Sequence, residues 1–290
     1  MNPFILSFAD GTSFFVGLAV VLASEGILLR FRNRFTRPFF SVAAIVGIIL
    51  VIISATPLPI WAYAVWIIPA VVGIVLVNRS APPQRLSLIC LAALLASTAV
   101  LCLLEAPFHR RPALSVPVGS TVYVLGDSIS AGIGTKDRSW PTLLDEMSSL
   151  RVVNLAQPGA TVASAITQSK DISEQPALVI VAIGGNDLLG GTDALEFHSM
   201  LDSLASALYS AQHDVLLLEL PLFPFQNAYG KAQRDVARKH GATLLPKRYF
   251  TRVLGTKNGT LDGLHLSQTG HHAMAETIAI VLNETAEQEH

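Results

Sequence analysis

The chain has 290 residues, 51% of them hydrophobic and only 14% charged, with a mean hydropathy of +0.50. A soluble domain ordinarily carries about 25% charged residues, so this composition excludes a wholly soluble globular protein. The net charge of −1 excludes a broadly basic nucleic-acid binder. The imbalance is regional. Residues 1–106 hold six arginines, no lysine and three acids (Asp10, Glu25 and Glu105), whereas 107–290 hold fourteen bases and eighteen acids in globular proportion.

Four apolar runs come first: 12–29, 39–58, 60–77 and 86–104. Each approaches the ~20 residues that carry a helix across a bilayer core of ~30 Å. Lipid leaves no partner for free backbone groups, so the runs are expected to be helices. Residues 1–10 lack lysine and arginine and carry Asp10, which disfavours a signal peptide.

Loop arginines set the expected orientation. Arg30, Arg32, Arg34 and Arg37 follow the first run, and Arg79 and Arg85 follow the third, against Arg110 and Arg111 after the fourth. Six against two places the first and third loops in the cytoplasm. The chain is then a multi-pass protein of the plasma or inner membrane, with its soluble half extracytoplasmic. Trp61, Tyr63 and Trp66 are expected at the outer interface, where amphipathic rings prefer to sit. Glu25 is the acid well inside a run, a functional candidate by default. Arg30, about one turn away, equally permits snorkelling or pairing at the cytoplasmic edge. Pro69 is expected to kink the third run. Cys90 and Cys102 would stand about 18 Å apart on one helix, too far to bridge, and read as small buried hydrophobes.

A Pro-rich linker, 107–117, separates these runs from a domain expected over 118–285, with a tail at 286–290. In the domain, short β-branched runs at 122–125, 152–155, 178–183, 215–220 and 243–245 predict strands. Amphipathic stretches at 140–148, 162–173, 194–211, 228–240 and 267–282 predict helices between and after them. Alternation of this kind implies parallel strands with right-handed crossovers and a three-layer α/β fold. Sites in such sheets lie beyond the carboxyl ends of the strands.

Those ends carry the chemistry. The first strand runs into Gly126-Asp127-Ser128, the second into the segment ending Pro158-Gly159, and the third into Gly184-Gly185-Asn186-Asp187. Asp262-Gly263-Leu264-His265 precedes the last helix. A serine hydroxyl needs a base to become nucleophilic. An imidazole serves near neutral pH, and a carboxylate three residues earlier can fix its tautomer. The oxyanion of the attacked carbonyl needs donors. The backbone N–H groups of Ser128 and Gly159 and the side-chain amide of Asn186 are available. Asp127 and Asp187 read as stabilisers of loops and helix starts. His271 and His272 lack metal-ligand spacing with another acid or thiol, and His198, His213 and His240 fall where surface helices are expected. No Gly-x-Ser-x-Gly, His-Glu-x-x-His or Walker A string occurs.

These residues resemble the GDSL, or SGNH, hydrolases, whose blocks supply a nucleophilic Ser, an oxyanion Gly, an oxyanion Asn and an Asp-x-x-His pair. They match in order at Ser128, Gly159, Asn186, Asp262 and His265. Within that family the chain is similar to the bacterial thioesterase I/lysophospholipase L1/arylesterase group, through LGDSISAG at 125–132, SWPTLL at 139–144, GGNDLLGG at 184–191 and DGLHLSQTG at 262–270. The resemblance spans roughly 121–282. It implies a flavodoxin-like, five-stranded parallel sheet and esterase-type activity with neither metal nor cofactor.

The expected protein is therefore an all-α bundle of four transmembrane helices followed by a serine esterase or thioesterase domain. Ser128, His265 and Asp262 would be catalytic, with Ser128, Gly159 and Asn186 forming the oxyanion hole. Substrates would be acyl-ester small molecules, lysophospholipids or other acyl lipids, or O-acylated envelope glycans. The expected partner is membrane lipid; nucleic acid is not expected. Two alternatives stay open: an O-acyltransferase acting on envelope glycan, and a non-catalytic membrane sensor.

Overall fold

A computed structural model describes residues 3–31, 33, 35–79, 83–133 and 138–285. Arg32 and Arg34 of the first loop, and the tail at 286–290, lie outside the described residues. The chain divides into two compact units, one of Ser7–His109 with Leu222–Asn227 and the other of Met1–Leu6, Arg110–Pro221 and Ala228–His290.

After a short helix α1 (Pro3–Ala9), the first unit holds α2 (Thr12–Arg30), α3 (Thr36–Ile53), α4 (Ile60–Val77) and α5 (Gln84–Glu105), the last running into a 3-10 turn at Ala106–His109. All four long helices have the length and apolarity to cross a membrane. The second was expected at 39–58. It starts earlier because Asn33 Oδ1 accepts the Phe35 and Thr36 amides. It stops at Ile53, where Ser54 turns extended, donates its hydroxyl to the Val51 carbonyl, and leads into Pro57 and Pro59.

Phe14, Leu18, Trp66, Ala70, Leu94 and Leu101 form the bundle's core. α2 and α3 touch backbone to backbone, since a Cβ on Gly17 would stand 2.6 Å from the Gly47 carbonyl oxygen. Small residues at such crossings are how helices pack closely where no hydrophobic force separates lipid from side chain. Trp66 was expected at the interface. It is instead fully buried, its indole Nε1 donating to Thr98 Oγ1 over 2.8 Å. A buried indole N–H needs an acceptor, and α5 supplies one. Trp61 is exposed, and the Tyr63 hydroxyl donates to the Thr56 carbonyl. α4 runs through Pro69 as a single helix. The outer faces expose large apolar residues such as Phe39, Ile60, Ile68, Ile89 and Leu103.

The second unit is built on β1 (Leu114–Pro117), β2 (Thr121–Gly126), β3 (Arg151–Asn154), β4 (Leu178–Ala182), β5 (Asp214–Leu218), β6 (Thr243–Leu245) and β7 (Leu282–Thr285). Its helices are α6 (Ser128–Ala131), α7 (Trp140–Met147), α8 (Val162–Gln168), α9 (Gly185–Gly190), α10 (Ala194–Ser210), α11 (Asn227–His240), α12 (Lys247–Gly255) and α13 (Gln268–Val281). The five predicted strands form one parallel sheet in the order β3-β2-β4-β5-β6. Val122, Val124 and Ile180 turn one way, onto Trp140, Leu144, Met274 and Ile278 of α7 and α13. α8 and α10 pack on each other. The arrangement is the flavodoxin-like α/β fold that the alternating pattern implies.

Three features depart from expectation. Residues 114–117, assigned to the linker, form β1, which pairs in parallel with β7 from Leu114↔Leu282 onward. The last helix accordingly ends at Val281. α9 and α12 were not anticipated: α9 is Gly-Asn-Asp-Leu-Leu-Gly, a composition of low helical propensity, bounded by left-handed Gly184 and Gly191. His213 is buried rather than on a surface helix, its Nδ1 accepting the Ala177 amide at the foot of β5.

In this strand order the chain passes from β2 to β3 on one side and then crosses back to β4 on the other side of β2. The carboxyl ends of β2 and β4 therefore flank the topological switch point, where a crevice opens naturally.

Candidate active site

The loop after β2 carries the expected nucleophile. Gly126 ends the strand where a side chain has no room, since a Cβ there would meet Ser130 Oγ at 2.7 Å. Asp127 then caps α6, its Oδ1 accepting the Ile129 amide over 3.0 Å. Such a cap satisfies one of the orphan donors of a helix start. Ser128 follows as the first residue of α6 and is partly exposed, whereas Asp127 is 4% exposed.

The loop is held from three sides. The buried side-chain amide of Gln168 clasps the Gly126 backbone, accepting its N–H and donating to its carbonyl, each over 3.0 Å. Asn154 Nδ2 donates to the Ser130 carbonyl over 3.0 Å, and the Trp140 indole donates to Ser130 Oγ over 3.2 Å. None of these three supports was singled out in the sequence as a site residue. The legible signal was a glutamine ending an otherwise small and apolar helix, VASAITQ, which demands a partner once buried. Gln233 repeats the device at the end of β5, accepting the Leu220 amide and donating to the Leu218 carbonyl.

Gly159 sits beyond β3 with φ +76, exposed and with open space where a side chain would be. Its left-handed backbone is the reason for glycine here. Asn186 lies in the first turn of α9, beyond β4, and its Nδ2 donates to the Ala160 carbonyl over 2.8 Å. Asp187, 1% exposed, accepts the Val162 amide at Oδ2 over 3.0 Å. These two neighbours thus bind both ends of the 160–162 turn, tying the start of α9 to the segment that follows Gly159.

Asp262 and His265 form one local unit. Asp262 Oδ1 accepts the Leu264 and His265 amides, over 2.9 and 2.8 Å, while Oδ2 lies 2.6 Å from His265 Nδ1. Hydrogen bonding by the His265 side chain, then by the two amides, holds the Asp262 carboxyl well below the usual carboxylate range. An ionised acceptor at Nδ1 fixes the proton on that nitrogen and leaves the Nε2 lone pair for accepting one.

Burial raises the Asp127 carboxyl to about 6, opposed by the Ile129 cap and by His265 and reinforced by Asp187. Ser128 at the start of α6, Gly159 in the loop beyond β3 and Asn186 in the first turn of α9 thus stand at the carboxyl edge of the sheet, and Asp262 and His265 lie just before α13. The hydrogen bonds of the described residues do not include one between Ser128 Oγ and His265. Such bonds are often long in unliganded enzymes and tighten on substrate binding. Among the described residues no cluster of His, Cys, Asp and Glu is arranged to hold a metal ion.

Comparison with known proteins gives this geometry its context. Residues 124–273 match the model of the GDSL-like Lipase/Acylhydrolase family. Esterase TesA of Pseudomonas aeruginosa is 31% identical over 173 residues, covering 54% of this chain and 85% of that protein. An arylesterase of Vibrio mimicus is 28% identical, covering 54% and 84%. Among solved structures, the psychrotrophic esterase EstA of Pseudoalteromonas, in a form inhibited by monoethylphosphonate, superposes with a TM-score of 0.51 at 20% identity, over 56% of this chain and 96% of that one. The matched region contains Ser128, Gly159, Asn186, Asp262 and His265. The chain belongs to the GDSL-like lipase/acylhydrolase family and is a hydrolase of its esterase and thioesterase type.

Proposed function

We propose that this protein is a membrane-embedded serine esterase, its catalytic domain on the extracytoplasmic side, that cleaves carboxylic esters or thioesters through an acyl-serine intermediate. The observation that carries the mechanism is the 2.6 Å pairing of Asp262 with His265 Nδ1, before α13. Ser128 Oγ attacks the substrate carbonyl while His265 Nε2 takes its proton. Asp262 stabilises the imidazolium so formed. The oxyanion is received by the backbone N–H groups of Ser128 and Gly159 and by Asn186 Nδ2, donors of the kind that stabilise the charge as it develops. His265 then returns the proton to the departing alcohol or thiol. Water, deprotonated by the same imidazole, attacks the acyl-serine and frees the acid and Ser128.

Membrane embedding rests on the four long apolar helices and their exposed apolar outer faces, and orientation on the loop arginines. A substrate presented at a membrane follows from that location: an acyl lipid such as a lysophospholipid, or an O-acylated glycan of the envelope.

The test uses the full chain in detergent micelles, with a short-chain aryl ester and with a fluorophosphonate probe. Wild type should hydrolyse the ester and label at Ser128, and Ser128→Ala should lose both. Activity surviving that substitution overturns the mechanism. Supplying a glycan acceptor beside the ester separates hydrolysis from transfer, since a transferase yields acylated acceptor with little free acid.

A further inference from the structure

Glu25 takes no part in the chemistry above, yet it is buried within the bundle. It lies on α2 about 7.5 Å along the axis from Arg30 at 1.5 Å per residue. Its side chain does not reach back to that end. It is 2% exposed, and Oε1 is buried with no hydrogen-bond partner. Among the described residues it forms no ion pair, so neither pairing with Arg30 nor snorkelling to the edge describes it.

The carboxyl instead occupies a place left by Gly73 of α4. A Cβ on that glycine would lie 2.3 Å from Glu25 Oε2 and 2.9 Å from Oε1. Any other residue at 73 would displace the acid. On α5 the titratable group at the corresponding depth is the Cys90 thiol, which is buried. α4 presents Gly73 and no ionisable side chain at this level. On α3 the ionisable residue is Arg37, in the first turn. On α2 itself it is Arg30, at the end of the helix. Glu25, Gly73 and Cys90 stand four to six residues from the Arg30, Val77 and Gln84 ends of their helices. They form one layer, roughly 6–9 Å inside the bundle at 1.5 Å per residue.

A lone carboxylate in such a layer would be an uncompensated buried charge, which proteins neutralise by binding a counter-charge or a proton. One carboxyl with no second acidic ligand is too sparse for a cation that wants several oxygens. We propose that Glu25 is a proton-binding site within the bundle. It is held as the neutral acid in the space that Gly73 provides, and it exchanges its proton with the side on which α2 and α4 end. The proposal rests on the membrane-embedded reading and is independent of the esterase chemistry.

The test uses the full chain in phosphatidylcholine vesicles treated with dicyclohexylcarbodiimide. This apolar reagent adds the carboxyl oxygen of a protonated acid to its central carbon while the acid proton passes to its nitrogen. Peptide mass spectrometry should find Glu25 modified at about pH 6, with modification lost as the pH is raised toward about 9 and the proton leaves. Glu25→Gln should remove that modified peptide while Ser128 still takes up the fluorophosphonate probe. Gly73→Ala should depress modification by filling the carboxyl's place. The idea is overturned if wild-type Glu25 stays unmodified at the lower pH, or is modified equally at both, in protein that resists alkaline carbonate extraction. Resistance to alkaline carbonate extraction reports separately on membrane embedding, and Ser128 labelling separately on the esterase reading.

Discussion

The side-chain amide of Asn186 donates to the main-chain carbonyl of Ala160 over 2.8 Å, tying the loop beyond β4 to the turn that carries Gly159. One Asn186 hydrogen is thereby spent on position, and the other is free to serve an oxyanion. Asn186→Ala removes a donor and a brace together. A lost oxyanion donor costs about 10²–10³ in rate, or roughly 3–4 kcal/mol. Stability should fall only by the net value of one hydrogen bond, about 1 kcal/mol. Steady-state kinetics and thermal unfolding of the same preparation check this: kcat should collapse while the melting temperature barely moves.

Asp262 works through His265, so Asp262→Asn should leave the fold intact and lower kcat by about 10⁴, the magnitude expected when the base loses its tautomer and its counter-charge. The native carboxyl is held below its ordinary value by the His265 and backbone hydrogen bonds. A depressed acid stabilises the fold above its unfolded pKa and loses that contribution as pH falls through and below it. Unfolding of wild type and Asp262→Asn, compared from about pH 6 to about pH 3, should show the wild-type advantage shrinking on the acid side.

Asp127 has the opposite sign. Burial lifts its carboxyl from 3.8 to about 6, so between those values the folded chain binds more protons than the unfolded one. Stability therefore falls as pH rises through that window and stays reduced above it. The displacement corresponds to about 3 kcal/mol at most, at 1.36 kcal/mol for each tenfold change in proton affinity. Asn is also a good N-cap. Asp127→Asn should thus keep the Ile129 hydrogen bond, flatten the decline between about pH 4 and pH 7, and gain stability at neutral pH. Thermal melts across that range decide it.

Gln168→Leu leaves the Gly126 amide with no side-chain acceptor in a fully buried strand end, although the Gly126 carbonyl keeps the Gln157 amide. An unsatisfied buried donor costs about 1–3 kcal/mol. Because the clasp sits two residues before Ser128, kcat should fall with stability rather than independently of it. Denaturant unfolding and esterase turnover, measured on Gln168→Leu and on Gln233→Leu as the matching change at β5, separate a site effect from a general one. Only the former should lower kcat strongly.

Much of this protein was legible in one dimension because the signals are local or periodic. A run of about twenty apolar residues implies a helix long enough to cross a bilayer, and α2, α4 and α5 stay within two residues of their expected bounds. β-branched runs spaced by amphipathic stretches imply parallel strands, and the rule placing sites at their carboxyl ends led to Ser128, Gly159 and Asn186. Asp262 and His265 are three residues apart, so their pairing is a property of one turn. Local chemistry also misled: Pro57 and Pro59 end α3 early, and the short α9 has glycines at both ends that conceal it.

What the third dimension decided is which distant groups meet. Gln168 lies 42 residues from Gly126, and Trp66 lies 32 residues from Thr98. The space before Glu25 exists only because Gly73 of another helix is packed there, and β1 has a partner only when the chain's last strand returns to it. Periodicity tells a residue which face it occupies, but a buried polar atom's partner is chosen by packing between elements. Whether an amide, an indole or a carboxyl is satisfied is therefore settled by the assembled fold.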